Sequence, residues 1–588
     1  MRRIIVIILC LVTVGLTAQN FRLQDILEDI YGQLAEEGMP MEDMAEQLME
    51  LASHPINLNQ TNAEELGQLS WLSDEQIDDI LMYQYQHPFV DVYELQLIAS
   101  LKDYDIRNLL PFVYVGKVED TKKIYFREVF RYAQHEITMR ADARNIEDYE
   151  GDPMYGKLRY RFNYQNHVQM GLTIGRPTGA PWEKVEYGGY VQVQDIGMVK
   201  SMVAGNFQAN FGQGLVVGTP FHMGKSSYIA SGTNAKEGVR KFTAVGDDYP
   251  AFHGIGTTLR LGKMEVSGLY SLQQEDSTWK HVVGVNATGK WKKLKVGITA
   301  IENIQETIEE GETKEEGKAV VGLNARYNWG KVDVWGELTA TQGTHWGIGS
   351  IVGMRLTPLG DVNLLALYRY YSPYFDNPYA YAFSEKSRLN DENGFYLGAE
   401  VKRLAKWRFA GYVDAFREGY DAMFQTDWQP NSLYHMDWRL RARQQTDKDT
   451  YALRYRFYYH LPCWTFRTQA DANMVKTEGW NYGISVFQDI EYQSATIPIV
   501  VQMRIQAFDA RQWNNRIYAY ENDVLYAYSI PNVYGLGGRF WVNVRYKIND
   551  MFAIYLRLSE TVYHKAWATE HEKRNTRTDV HALVRIKL

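Results

Sequence analysis

The chain has 588 residues, a net charge of −8 and a mean hydropathy of −0.39. A chain of this length has room for more than one domain. Tyr (42), Trp (15) and Gly (47) are abundant, whereas Pro (16) and Cys (2) are scarce. No long apolar stretch follows residue 18, which excludes a protein that crosses a membrane with several helices.

The first residues predict an export signal. Arg2 and Arg3 precede an apolar run that ends at Leu16, and small residues follow up to Ala18. This run is shorter than the roughly 20 residues of a membrane-spanning helix, and its flanks are typical of a secretory signal peptide. We predict a signal peptide over 1–18, cleaved after Ala18. One cysteine then remains, so we expect no internal disulfide.

Charge divides the chain into two parts. Residues 20–120 contain four Lys or Arg and 21 Asp or Glu, a net charge of −17. The signal contributes +2 and the whole chain is −8, so residues 121–588 carry +7. Opposite signs predict two modules, with attraction between them.

Alternation at the strand period dominates the positively charged part. In Lys157–Gln165, Leu and aromatic residues share one face and Lys, Arg, Asn and Gln share the other. Leu453–His460 repeats this pattern. The same alternation recurs in Met436–Arg443, Val501–Ala507, Val542–Ile548 and Phe552–Ser559.

The connectors between these segments alternate in length. Short ones, most containing Gly or Asn, are typical of tight hairpins. They lie at 166–167, 261–263, 329–330, 358–360, 404–406 and 548–550. Longer connectors are predicted at 213–250, 373–393, 418–431 and 563–576. Short turns that alternate with long outer loops are typical of outer-membrane barrels.

The alternation starts near residue 134 and gives roughly 24 strands, the last of which ends at Leu588. We therefore predict a mainly β fold: a large antiparallel transmembrane β-barrel of about 22–24 strands over 122–588. A small all-α domain over 20–120 precedes it. A barrel hides its lipid face by alternating it with a polar lumen face, so its average hydropathy stays low. The predicted location is the bacterial outer membrane, with outer-membrane lipid around the barrel.

The lumen face collects arginines. One interpretation is an ordinary polar lumen, in which these arginines pair with wall acids such as Asp437 and Glu491. The other is an anion-favouring interior or a seat for an acidic plug. The residues predicted to line the pore are Arg159, Arg161, Arg439, Arg441, Arg443, Arg454, Arg456, Arg504, Arg545 and Arg557.

The acidic part begins with two predicted amphipathic helices over 21–52, broken at Gly38–Pro40. Asn and Thr caps followed by Glu residues come next, at Ile56–Leu66, and a second unit follows. The stretch 56–112 resembles the ComEA-type helix-hairpin-helix domain. That resemblance implies DNA binding through Gly-hydrophobic-Gly hairpins, whose backbone N–H groups hold a phosphate.

Both hairpins depart from that pattern. The first is Trp71-Leu72-Ser73 and the second is Ser100-Leu101-Lys102, and acids follow each of them. The glycines are gone and the net charge opposes nucleic acid. We therefore expect a plug or a contact with a periplasmic or outer-membrane protein, and no nucleic acid.

The whole architecture resembles a family of Bacteroidota exported proteins with a ComEA-like region and a long β-rich remainder. The residues that carry the resemblance are Gly205–Leu215 and the segment 221–226. The resemblance implies no established mechanism.

Gly224-Lys225-Ser226 invites comparison with a phosphate-binding loop. That motif needs a glycine at position 219, where this chain has Thr219. We interpret Gly212, Gly214 and Gly218 instead as residues that let a strand extension fold inward. The segment 213–250, which includes Lys225, is then a predicted lumen loop.

No catalytic, cofactor or metal site is predicted. Five histidines are scattered without a spacing that assembles a triad, namely His222, His253, His345, His435 and His460. A single cysteine gives no Cys/His cluster. Asp391–Gly394 could hold Ca²⁺, but a solvated turn is the simpler interpretation.

The leading functional hypothesis is a gated outer-membrane channel, transport or assembly component with an acidic helical module. One alternative is a DNA-uptake protein that acts through the helix-hairpin-helix region. Another is a surface enzyme.

Overall fold

The computed structural model describes most of the chain, and the predicted signal peptide lies outside the described residues. The described ranges are 23–30, 42–69, 71–117, 126–145, 152–181, 183–219, 225–229, 237–243, 251–275, 277–309, 312–343, 345–359, 361–402, 404, 406–571 and 574–588. Among these residues, no helix is both long and apolar enough to cross a bilayer.

The described residues form a closed antiparallel barrel of 24 strands, which confirms the predicted fold class. The strands are β1 (Gln134–Arg144), β2 (Met154–Tyr164), β3 (Val168–Arg176), β4 (Glu186–Ile196), β5 (Val199–Asn210), β6 (Phe252–Leu261), β7 (Met264–Glu275), β8 (Thr278–Trp291), β9 (Leu294–Glu309), β10 (Glu312–Trp329), β11 (Val332–Gln342), β12 (Gly347–Leu359), β13 (Val362–Tyr371), β14 (Glu392–Val401), β15 (Trp407–Phe416), β16 (Gly419–Trp428), β17 (Tyr434–Gln445), β18 (Lys448–His460), β19 (Trp464–Lys476), β20 (Trp480–Gln493), β21 (Ile499–Ala510), β22 (Gly535–Lys547), β23 (Phe552–Tyr563) and β24 (Thr576–Lys587).

The seam of the barrel joins the last strand to the first. β24 pairs antiparallel with β1, and Ile586 lies opposite Ile137. A further short strand, Gly238–Lys241, continues the sheet beside the end of β5, beyond the residues that pair with β6. Because the sheet closes on itself, no strand edge is left open to lipid.

The two ends of the barrel differ in their connectors. One end carries the short turns, and the other carries the long connectors 211–251, 372–391, 511–534 and 564–575. The predicted long connector at 418–431 is wrong, because β16 occupies Gly419–Trp428. The long connector at 511–534 was not among the predicted connectors.

The outward face is apolar along the strands and aromatic at both ends. At the short-turn end, Trp407 and Trp428 pair across strands with ring centroids 5.6 Å apart. Tyr451 and Trp480 pair at the other end, 6.2 Å apart. An apolar band between two aromatic girdles is the surface that an outer-membrane barrel presents to lipid. The protein therefore lies in the bacterial outer membrane, with the short turns toward the periplasm.

The acidic part of the chain folds into short helices. They are the helical residues 23–30 (α1), then α2 (Glu42–Ser53), α3 (Ala63–Leu66), α4 (Asp74–Gln86) and α5 (Asp103–Leu109). Two 3₁₀ helices, Val92–Leu97 and Leu110–Phe112, flank α5 in sequence. The parallel pair of Ile56–Asn57 with Val113–Tyr114 ties the two ends of the segment together.

This helical module lies inside the barrel, at its periplasmic end. Its apolar core is continuous with Tyr228, Tyr520 and Tyr526, three residues of the long connectors. The connectors therefore reach down the lumen from the outer end and meet the module. After the module, α6 (Phe126–Arg131) packs Val129 against the aromatic residues near the end of β2. One more short helix, α7 (Lys565–Glu570), lies in the last long connector.

A charge placed on the lipid face should destabilise the barrel according to its depth. Leu323 is 56% exposed and lies six residues from the periplasmic end of β10, near the middle of the apolar band. We expect Leu323→Arg to lower the free energy of unfolding by about 2–4 kcal/mol. Trp329→Arg, at the interface, should cost about 0–1 kcal/mol. Urea titration in lipid vesicles measures both, and equal losses would contradict the proposed depth.

Candidate functional site: the interface between the helical module and the barrel wall

One face of α1 carries the acids that meet the wall. Glu28 and Asp29 follow Asp25 by three and four positions, so each lies on the same side of the helix as Asp25. Each of them is nearly or fully buried. The helix thus presents a row of carboxylates to the lumen-facing side of β17, β18 and β19.

Arginines of the wall form ion pairs with this row of carboxylates. Glu28 accepts from Arg454 at 2.8 Å and also pairs with Arg467. Asp29 lies 3.0 Å from Arg456 and 2.5 Å from Arg439. Arg456 and Arg467 are themselves fully buried. These charges are shielded from solvent, so each is stabilised by the opposite charge beside it.

A second set of ion pairs anchors α2 on another part of the wall, at β2. Glu46 pairs with Arg159, and Lys157 lies 3.3 Å from the same carboxylate. Glu50 accepts from Arg161 at 2.5 Å and from Lys241 at 2.8 Å. Because residues two apart on a strand share a face, Lys157, Arg159 and Arg161 all point inward.

The rest of the module is held at the periplasmic rim. Lys402 follows β14 and donates to Asp105 at 2.5 Å, and Arg107 donates to Gln429. The guanidinium of Arg408 lies 4.1 Å from the centroid of the Tyr104 ring. Contacts on both α1–α2 and α5 fix the module across the whole width of the lumen.

The pairing sets the charge state of the module. Burial raises the pKa of Glu28, but the positive charges of Arg454, Arg467 and Arg456 outweigh it and hold that pKa well below its usual value. For Glu50, Arg161 and Lys241 likewise overcome burial and lower the pKa to about 2. The docked module therefore keeps its carboxylates ionised at neutral pH.

For His54, docking favours the neutral side chain rather than the charged one. Burial and the positive charge of Arg161 lower its pKa to about 4, although Glu136 and Glu50 partly offset them. Its Nε2 lies 3.7 Å from Glu136. The docked module thus disfavours a proton that the released module would accept.

The outer half of the lumen is filled by the long connectors. The Glu337 carboxylate on β11 accepts the backbone N–H of Gln213 at 2.5 Å and that of Leu215 at 3.3 Å. Gly212 has φ +60°, and a Cβ there would lie 2.8 Å from the same carboxylate. This glycine therefore allows the turn that brings the connector inward. Gly214 also has positive φ, and its carbonyl accepts from Tyr381 at 2.8 Å.

Two connectors bind each other inside the barrel. Asn377 donates to the carbonyls of Leu215 and Val216, both at 2.8 Å. Gly218 donates to the carbonyl of Tyr379 at 2.9 Å. Lys225 is buried and pairs with Glu385 of the second connector and, at 2.6 Å, with the wall residue Asp414. The predicted lumen-loop residues thus lie in a layer that we call the lid, formed by the described residues 211–219 and 225–229 together with 372–391.

The third connector, 511–534, joins wall and module. Glu521 pairs with Arg539 at 2.6 Å and with Arg557. The ring of Tyr526 lies 5.3 Å from the Arg159 guanidinium, and Tyr528 donates to the carbonyl of Leu27 at 3.4 Å. A shift of the module must therefore disturb this connector.

The ten predicted lumen arginines divide into three groups. In the described part of the chain, five pair with acids of the module, namely Arg159, Arg161, Arg439, Arg454 and Arg456. Four pair with the wall or the connectors, namely Arg441 with Asp421, Arg443 with Glu385, Arg504 with Asp489 and Arg557 with Glu521. Arg545 is exposed near the periplasmic end of β22.

Sequence reasoning missed several partners. Arg467 follows the same inward alternation as the predicted arginines, so the strand period could have found it. Lys402 lies in a turn, where no period applies. Glu337 was missed because a single acid on a lumen face gives no signal of a backbone partner.

The two hairpins of the module are not free surfaces. Trp71, Leu72 and Leu101 are buried, and the Trp71 ring lies 6.1 Å from Tyr228 of the first connector. Ser73 starts α4 through a reciprocal pair of hydrogen bonds with Gln76. Ser100 and Lys102 are half-buried, and the Lys102 N–H donates to Asp105. In the docked module the hairpin segments are occupied by protein contacts.

One group of neighbouring side chains consists of residue types that can bind a metal ion. The group is Asp427, His435 and Asp437. Arg408 already donates to Asp427 at 2.8 Å, and Arg456 donates to both oxygens of Asp437 at 2.9 Å. The group therefore serves the ion-pair network of the wall. Asp391, considered above for Ca²⁺, pairs with Arg417 at 2.8 Å.

No protein-family model matches the sequence, and no curated protein is similar to it. Solved structures similar to this chain include the siderophore receptor PirA from Pseudomonas aeruginosa, with 7% identity, a TM-score of 0.41 and coverage of 81% of this chain and 82% of that one. PirA from Acinetobacter baumannii has 9% identity, a TM-score of 0.40 and coverage of 77% and 80%. The copper transporter OprC has 7% identity, a TM-score of 0.39 and coverage of 81% and 82%. These values are too low for the ligands of those proteins to indicate one here.

Fold and interface together define the class of this protein. It is an outer-membrane β-barrel whose periplasmic half is occupied by its own N-terminal helices and whose outer half is occupied by its own connectors.

Removing one buried carboxylate should loosen the module. Glu28→Ala removes a buried partner of Arg454 and Arg467, which we expect to weaken docking by about 3–5 kcal/mol. Trypsin cleavage after Arg107, a residue held against the wall, should become faster at moderate urea concentrations. The matched control is Glu75→Ala, at an exposed position of α4. Equal cleavage rates in the two variants would contradict the proposed role of the ion pairs.

Acidification should weaken docking in two stages. His54 has a docked pKa of about 4 against an ordinary 6.5, so the released module gains a proton first and docking weakens between these values. Glu50 stabilises docking fully above about pH 4.5, and this contribution is lost as the pH falls toward 2. Hydrogen exchange of α2, corrected for intrinsic rates, measures both stages. His54→Gln should remove only the first stage, and exchange that is independent of pH would refute the scheme.

Proposed function

We propose that this protein is a gated transport barrel of the outer membrane, in which the acidic helical module is a plug. The carrying observation is the fit of the module to the wall: its buried acids meet lumen arginines on both sides of the barrel. A module that only hung in the periplasm would gain nothing from burying these charges.

The contacts between the module and the wall are of a kind that allows the module to be released from the lumen. The module meets the wall mostly through ion pairs and hydrogen bonds, whereas its own core is apolar. A polar interface can be exchanged for water without unfolding the module, because most of its apolar core is formed by residues of the module itself. The module can then leave the lumen as a folded unit.

The contacts of the connectors indicate that the lid is a second barrier in the lumen, coupled to the plug. Tyr228, Tyr520 and Tyr526 pack on the apolar core of the module, so the lid and the plug share one contact surface. We infer that movement of the plug removes the support of these residues. Passage of cargo then requires both barriers to shift.

Conductance in planar bilayers tests the gate. The full chain should stay closed, because the plug and the connectors fill the lumen, whereas a chain that lacks 20–120 should show frequent openings. A variant with Lys225→Ala in the shortened chain should open more, since the first connector loses its pairs with Glu385 and Asp414.

The full chain with Glu75→Ala is the control and should stay closed. Negligible conductance in all the variants would rule out the gated transport proposal, and a full chain as conductive as the shortened one would rule out the plug.

A further inference from the structure

The module presents a second surface, away from the wall, that is both apolar and acidic. Five large apolar side chains stand in the C-terminal half of α4 and the segment after it. Their exposed fractions are 58% for Met82, 89% for Tyr85, 84% for Val90, 59% for Tyr93 and 69% for Leu97. We call these five residues the mouth patch.

The mouth patch faces the periplasm. The same module is tied to the periplasmic rim by Asp105 and Arg107, and its hairpins point into the lumen toward Tyr228. The patch is rigid, because Glu94 accepts the Val90 N–H at 3.1 Å and the Tyr83 ring packs 4.8 Å from Phe89. A fixed apolar surface at the mouth of the barrel is typical of a protein contact site.

The charges around the mouth patch specify what can bind there. Residues 71–101 contain six Asp or Glu and no Lys or Arg. Glu75 and Asp91 are exposed, and no salt bridge within the described part of the chain joins them to a cation. The acids that face the barrel have cationic partners, whereas these two face outward.

We propose that the mouth patch is the docking site for a periplasmic protein segment that carries apolar and cationic side chains together. This proposal rests on the proposed role of the module as a plug, and it assigns to that plug the surface by which another protein can hold or pull it. A second copy of this chain would bring like charges together, and an anionic lipid surface would be repelled for the same reason.

Binding of defined peptides to the full chain in nanodiscs of zwitterionic lipid tests the proposal. The probe is a labelled amphipathic peptide of Leu and Lys, read by fluorescence anisotropy against empty nanodiscs. We expect saturable binding that weakens with salt. A peptide with Glu in place of each Lys, and one with Ser in place of each Leu, should both bind at least about tenfold more weakly, since each lacks one of the two required features.

Substitutions locate the binding site. Tyr85→Ser with Leu97→Ser should reduce the affinity for the Leu/Lys peptide about tenfold or more, because two exposed apolar contacts are lost. The matched control is Trp346→Ser, which is 67% exposed at the other end of the barrel and should leave affinity unchanged. Protease resistance of the module, measured on each variant, separates loss of the patch from loss of docking.

Three results would overturn the docking proposal: equal binding of the Glu peptide, unchanged affinity of the patch variant, or a dimer that forms only when Tyr85 and Leu97 are present. The peptide assay is independent of conductance. If the shortened chain conducts but the peptide does not bind, only the docking proposal fails. If the peptide binds but removal of 20–120 never opens the barrel, the plug proposal fails.

Discussion

The structure depends on one constraint: charges buried inside the lumen must meet charges of opposite sign. Arg456 illustrates it, because its guanidinium lies between Asp29 of the module and Asp437 of the wall and is almost inaccessible to water. A lone guanidinium in that position would cost several kcal/mol. The cationic residues of the wall and the acidic residues of the module therefore compensate each other. This accounts for the opposite net charges of the two parts of the chain.

The same constraint explains how the connectors are placed. Lys225 and Glu521 carry charge into the lumen and are compensated by Asp414 and Arg539 of the wall. Plug, lid and wall thus form one network of paired charges rather than three separate layers. A partial shift of the module would leave charged groups of this network unpaired. The network therefore favours two defined positions of the module over a range of intermediate ones.

Much of the barrel could be predicted from the sequence, because a period of two fixes which residues face lipid. The failure at 418–431 has a physical reason. β16 places Asp421, Gln425 and Asp427 inward, and a strand that starts with Gly419 and carries two inward acids resembles a loop until its arginine partners on β15 and β17 are known. The connector 511–534 was not predicted, because the strand period cannot show that Tyr520 and Tyr526 fold into the lumen against the module.

The candidate interface was only half predictable. The arginines follow the strand period and the acids follow the helix period, so each set could be found separately. Their pairing could not, since Asp29 and Arg456 are separated by 427 positions and neither carries a local signal of its partner. The hairpins were also only partly predictable. The loss of their glycines indicated from sequence that they do not bind DNA, but the contact of Trp71 in the first hairpin with Tyr228 could be found only from the fold.

The continuity of the chain from the module to the barrel has a kinetic consequence. Val113–Tyr114 closes the module inside the mouth, and α6, which starts 12 positions after Tyr114, packs on the barrel just before β1. A released module therefore stays within reach of its arginines at an effective concentration on the order of millimolar. Return is fast unless something occupies the lumen or holds the module away. For the gate proposed above, the open state would last only as long as work is done on the module, and closure would be the resting condition of the barrel.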